Sequence, residues 1–194
     1  MKRDAGFSLL ELLLACSLGL AVFGIAATAL LLEQRLGSRM GGLLRQRQLL
    51  LRAHQLIAAD VERGIALAPE LVSTCNLAGR QPWLQILGVD GSITTYSLGS
   101  PPSAIWRGQV LMRCGPAYGL DGQVKVGTRS QNRVVLDGLA PSSRAWTGCS
   151  LPKAEPLADV SVCWEPVSGL VHWQLQISSN GISTQRDGQA LLEG

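Results

Sequence analysis

The chain has 194 residues, a net charge of +3 at neutral pH and five cysteines, which sets a prior of one medium domain with a short appendage rather than two full domains. The charge is uneven. Residues 1–66 hold eight basic side chains against five acidic ones, whereas residues 67–194 balance nine against nine. The neutral remainder lacks the broad positive footprint of a dedicated nucleic-acid binder.

The first element is apolar. Leu12 to Leu32 reads LLLACSLGLAVFGIAATALLL and contains no charge. About 20 apolar residues in a helix cross a bilayer, so a membrane span is expected over residues 12–32. A cleaved secretory signal would place a small-residue site at Ala27-Thr28-Ala29. The apolar run is long for that and continues past the site. A plain single-span anchor fits the length but leaves Glu11 unexplained. A charged side chain in hydrocarbon costs roughly 2.5–3.5 kcal/mol on insertion scales, and such residues are usually functional. The bland alternative is a carboxylate near the membrane edge that snorkels back to water.

The flanks of the span favour a third reading. Lys2 and Arg3 form a short basic leader, then Gly6 precedes Phe7-Ser8-Leu9-Leu10-Glu11. In this the sequence resembles the type IV pilins and pseudopilins. The resemblance implies a leader of residues 1–6, cut between Gly6 and Phe7 by a membrane prepilin peptidase. It implies N-methylation of Phe7 by the same enzyme. It also implies that Glu11 meets the terminal amine of a neighbouring subunit in a filament. A buried ion pair adds little net stability, but an unpaired partner is penalised by several kcal/mol, which suits such a pair to fixing register.

The resemblance further implies a pilin fold: an α+β chain whose long N-terminal helix packs against an antiparallel head. The partners implied are other pilin subunits, the peptidase and an inner-membrane assembly platform. No cofactor is expected, and nucleic acid enters only indirectly. The head is expected on the periplasmic or outer side, first anchored in the inner membrane and then carried in a filament. Arginine counting points the other way: Lys2 and Arg3 precede the span, while Arg35, Arg39, Arg45, Arg47 and Arg52 follow it. By the positive-inside tendency that places the head in the cytoplasm.

Helical spacing continues beyond the span. Leu50, Ala53, Ile57 and Val61 recur on one face, so the long helix is expected over residues 7–66, closed by Pro69. Gly24, Gly37, Gly41 and Gly42 weaken it, and any loosening is expected at Gly24 or the Gly41-Gly42 pair. The arginines along it read as a solvated face, with attraction to lipid head groups as the functional alternative.

Residues 67–194 read as a β-rich head. Trp83–Val89 and Ile93–Leu98 predict strands joined at Asp90-Gly91. Gln109–Arg113 and Arg133–Leu136 predict two more. Val171, Trp173, Leu175 and Ile177 alternate with His172, Gln174 and Gln176, a half-buried strand leading into a turn at Asn180-Gly181. Together these predict an antiparallel sheet laid on the second half of the helix.

Cys16 lies in the span and behaves as a small apolar residue. Cys75, Cys114, Cys149 and Cys163 lie in the head, an even number consistent with two disulfides in any of three pairings. We favour Cys75 with Cys114 and Cys149 with Cys163; the second would staple a Pro-rich segment near the C-terminus, as type IV pilins often do. A metal site is not expected, because there is no C-x-x-C and the two histidines are far apart.

No enzyme is expected either. The chain has no G-x-S-x-G, H-E-x-x-H or phosphate loop. His172 is expected on the solvated face of its strand, and His54, in the long helix, is expected to be packed or to face a filament neighbour. The five tryptophans are expected mainly in the core, since each buries a large area; an exposed group of them would instead make a sugar-, surface- or DNA-binding tip.

Within the family, LIAADVERGIALAP, ITTYSL with AIWRGQVLMR, and RVVLDGLA are similar to W-type minor pilins and J-type minor pseudopilins. That resemblance implies a minor pilin that helps initiate or cap a filament. The alternatives are a minor pseudopilin of a type II secretion system, or a membrane-anchored binding domain that never assembles.

Overall fold

The computed structural model describes residues 8–68, 72–120, 122–125, 127–140, 155–156, 162–179 and 181–193. One helix, α1, runs Leu9–Glu62. It is followed by nine strands among the described residues: β1 Gly64–Leu67, β2 Gln81–Gly88, β3 Ile93–Gly99, β4 Gln109–Gly115, β5 Gln131–Leu139, β6 Glu155–Pro156, β7 Val162–Glu165, β8 Leu170–Ser179 and β9 Ile182–Leu191. All pairings are antiparallel. The chain is thus α+β. It divides by its contacts into two units, residues 1–45 and 46–194.

The first unit is the apolar part of α1. The helix is long and apolar enough to cross a membrane once, and its apolar window has no buried residues. Leu12, Leu20, Phe23 and Ile25 are all more than half exposed. Such a surface is unstable in water and at home in hydrocarbon. Three of its hydroxyls bond within the helix. Ser17, Thr28 and Ser38 donate to the carbonyls of Leu14, Ile25 and Arg35, so none of these three donors is left unpaired. The helix continues through Gly24, Gly37, Gly41 and Gly42.

The second unit holds the core. Leu50, Ala53, Ile57 and Val61 are buried with Trp83, Leu84, Tyr96, Leu111, Val171 and Trp173. The spacing of the four helical residues sets them on one stripe, which the sheet covers. The helix ends at Glu62, not at Ala66, and Gly64–Leu67 is a strand. Gly64 is the reason on the strand side: a Cβ there would lie 2.3 Å from Ile86 Cγ2. Only a residue without a side chain lets β1 approach β2 so closely.

The order across the sheet is β1-β2-β3-β4-β5-β8-β7-β6, with β9 on β8. β8 organises the second half. It pairs along its whole length with β9, while β7 takes its first residues on the other side and β5 meets it at Leu139 and Ile177. The expected β2–β3 hairpin is present, with Ser92 N–H donating to the Asp90 carboxylate and Gly88 N–H to Ser92 O. Asn180, expected in the β8–β9 turn, lies outside the described residues.

Candidate functional site

Gly6 and Phe7 lie outside the described residues. Glu11 is described, exposed, and in the first turn of α1. Its side chain is not free. Ser8 N–H donates to Glu11 Oε2 at 3.0 Å, and Glu11 N–H donates to Ser8 Oγ at 3.3 Å. This is a reciprocal capping box, in which two otherwise unpaired amide donors of the helix start are satisfied. The carboxylate also opposes the positive end of the helix dipole. Glu11 therefore has a local role inside its own chain, one that the S-x-x-E spacing carries.

A second polar constellation lies at the other end of α1. Asp60 sits on the buried stripe between Ile57 and Val61, with its side chain 3% exposed. Arg113 on β4 donates to it twice, from Nε to Oδ2 at 2.6 Å and from Nη2 to Oδ1 at 2.9 Å. Tyr96 on β3 and Tyr118 donate their hydroxyls at 2.6 and 2.7 Å. Arg63 adds a partly exposed ion pair at 3.0 Å and also donates to the Tyr118 hydroxyl. Arg113 Nη1 donates to Pro116 O, and both guanidiniums lie over the Tyr118 ring.

Burial pushes the Asp60 pKa up. The hydrogen bonds and charge of Arg113, with the Tyr96 and Tyr118 hydroxyls, more than offset it, so Asp60 titrates below the ordinary carboxylate value. A fully bonded carboxylate joins the helix end to β3, β4 and the segment after β4. Its geometry is that of a structural clamp. No acceptor is left idle for proton transfer.

His54 makes a third link. Its Nδ1 accepts from Trp173 Nε1 at 2.7 Å, and the two rings stack. The contact fits because Gly188 on β9 is opposite Trp173, where a Cβ would lie 2.4 Å from His54 Nδ1. His54 is packed, one of the two placements expected from the sequence. Its Nε2 is buried without a hydrogen-bond partner among the described residues. Burial, then the charge of Arg186, lowers its pKa from 6.5 to about 4.

The sign of the pH effect follows. The unfolded chain binds this proton more tightly, so stability is full above about pH 6.5, declines below it and levels off near pH 4. At about 1.36 kcal/mol per pKa unit the loss approaches ~3 kcal/mol. Thermal unfolding of the detergent-solubilised chain, followed by tryptophan fluorescence, is expected to show a midpoint that falls from pH 6.5 to 4. The fall should be much shallower in His54→Phe; an equal fall in that variant would assign it to other groups.

His172 departs from expectation. It is half-buried rather than solvated, and its Nε2 is buried without a partner among the described residues. The reason is position: at His172, β8 is flanked by Cys163 on β7 and Gln189 on β9. Trp83 and Trp173 are core residues, Trp164 packs against the core, and Trp106 is half-buried. Trp146 lies outside the described residues.

Cys75 and Cys114 form a disulfide, as expected, and Thr74 Oγ1 lies 3.4 Å from the Cys114 sulfur. Cys163 is also disulfide-bonded; Cys149 lies outside the described residues. Cys16 is free and exposed on α1. Among the described residues no group of three or more His, Cys, Asp or Glu side chains is placed to hold a metal ion.

No protein-family profile, curated protein or solved structure matches the chain.

Proposed function

We propose that the chain is a membrane-anchored structural subunit of the type IV pilin kind, and within that kind a minor pilin that helps initiate or cap a filament. One observation carries most of the weight. A single helix supplies both an unburied, charge-free stretch long enough for a bilayer and, further along, the core helix of an antiparallel head. A detachable anchor needs no such continuity; a subunit whose helix is to pack against other helices does. The Gly6–Phe7 junction and Glu11 supply the processing and assembly elements. Its partners are then other pilin subunits, the prepilin peptidase and methyltransferase, and the inner-membrane assembly platform. The role is structural, not catalytic.

A second reading is favoured by the Ser8–Glu11 capping box. Glu11 would then serve only to start the helix of an exported domain that stays in its membrane.

The processing step is testable directly. In cells that hold the peptidase, the intact mass of the membrane-extracted chain is expected to begin at Phe7 with one added methyl group. Replacing Gly6 with a bulky residue is expected to block the cut. A chain that still begins at Met1, or one that begins after Ala29, would contradict the proposal.

A further inference from the structure

A pocket of about 270 Å³ opens beside the last turn of α1. Its lining includes the Asp60–Arg113 pair and Arg63. It also includes the apolar residues Ile86, Val89, Pro116 and Val124 and the exposed carboxylates of Asp90 and Glu193. The volume falls below the roughly 300–1,000 Å³ of most small-molecule and cofactor sites. It suits a single long side chain.

The charges are unequal. Three carboxylates in the lining face two guanidiniums. Both guanidiniums are committed to Asp60, the acceptor in the two ion pairs found among the described residues. Asp90 and Glu193 are therefore left without a cation there. Asp90 is also held in place, because one of its oxygens accepts from Ser92 N–H. An apolar lining beside carboxylates that lack a cation complements lysine or arginine, whose aliphatic stem seeks apolar surface while its head seeks charge-assisted hydrogen bonds.

The same chain displays side chains of that kind. Arg35, Arg39, Arg45, Arg47 and Arg52 are exposed along α1. None of them is in an ion pair among the described residues.

We propose that this pocket docks an arginine from residues 34–52 of the long helix of a second copy of this chain. The inference rests on the filament-subunit reading, because it requires a second long helix of the same build. The contact is heterologous, pocket on one subunit and helix on the next. Such contacts propagate along an open assembly instead of closing a dimer.

The test uses the full-length chain in detergent micelles and a fluorescein-labelled peptide of residues 34–52, read by fluorescence anisotropy. Saturable binding is expected. It should weaken at least about tenfold, equivalent to ~1.4 kcal/mol, in the Asp90→Asn/Glu193→Gln chain, and similarly when the arginines of the peptide are replaced by glutamine. It should also weaken as salt rises. Both carboxylates are exposed, so the variant chain is expected to keep the wild-type unfolding midpoint. Equal binding to wild-type and variant chains, or no saturable binding below ~1 mM peptide, would overturn the proposal. Failure of the filament reading would show separately, as an uncut N-terminus, and neither result decides the other.

Discussion

Arg113→Met is expected to destabilise the head by roughly 3–5 kcal/mol, because it strands a buried carboxylate. Asp60 would lose both Arg113 donors while remaining buried in the last turn of the helix, with only two tyrosine hydroxyls and the partly exposed Arg63 left to hold it. The pH dependence should also reverse. In the wild type the Asp60 pKa is lowered, so its contribution is present above the ordinary carboxylate value and is lost as pH falls through the lowered one. Without Arg113, burial dominates and raises the pKa, so the variant should lose stability as pH rises from about 4.

The double variant Asp60→Leu/Arg113→Met separates charge stranding from lost packing. Replacing a buried ion pair with apolar side chains is often near neutral, although here Tyr96 and Tyr118 lose an acceptor. The double variant should therefore be more stable than the sum of the two single losses implies. Thermal unfolding of all four chains gives the coupling. Strict additivity would mean that the pair does not act as a clamp.

The apolar stripe of α1 was legible from Leu50, Ala53, Ile57 and Val61 alone. His54 and Asp60 lie on that stripe too, and a polar residue at an apolar phase is the signal that it needs a buried partner. The partners were not legible. Arg113 is 53 residues from Asp60, and Trp173 is 119 residues from His54. Local periodicity carries no information about such distant pairs. The β2–β3 hairpin followed from Asp90-Gly91, where turn chemistry is local. β1 was missed because Gly64–Leu67 continues an apolar run directly after the helix. Four residues are too few for the period to separate strand from helix. The Ser8–Glu11 cap was present in the spacing S-x-x-E before an apolar run. A carboxylate at the edge of an apolar run suits more than one role, and the spacing alone does not choose between them.

The cap makes Glu11 the place where the two functional readings part. Both Glu11→Ala and Glu11→Gln make the start of the span less costly to insert, since each removes a charge. Neither alters the Gly6–Phe7 junction, so cleavage should persist in both. They differ at the cap. Glutamine preserves a capping box and alanine does not, a difference of about 1 kcal/mol in helix stability. If capping were the whole role of Glu11, the glutamine variant would behave as wild type. In a pilin-type filament the carboxylate instead meets the Phe7 amine of a neighbour, and glutamine cannot supply the charge. A stranded buried amine costs roughly 3–5 kcal/mol, equivalent to about two to three orders of magnitude in incorporation at 1.4 kcal/mol per tenfold. The decisive measurement is an immunoblot of sheared filaments against the membrane fraction for wild type, Glu11→Ala and Glu11→Gln. The filament reading expects both variants to be cleaved, retained in the membrane and depleted from the sheared fraction alike. A Glu11→Gln chain that enters the sheared fraction as well as wild type would contradict it and leave Glu11 as the cap of an anchor helix.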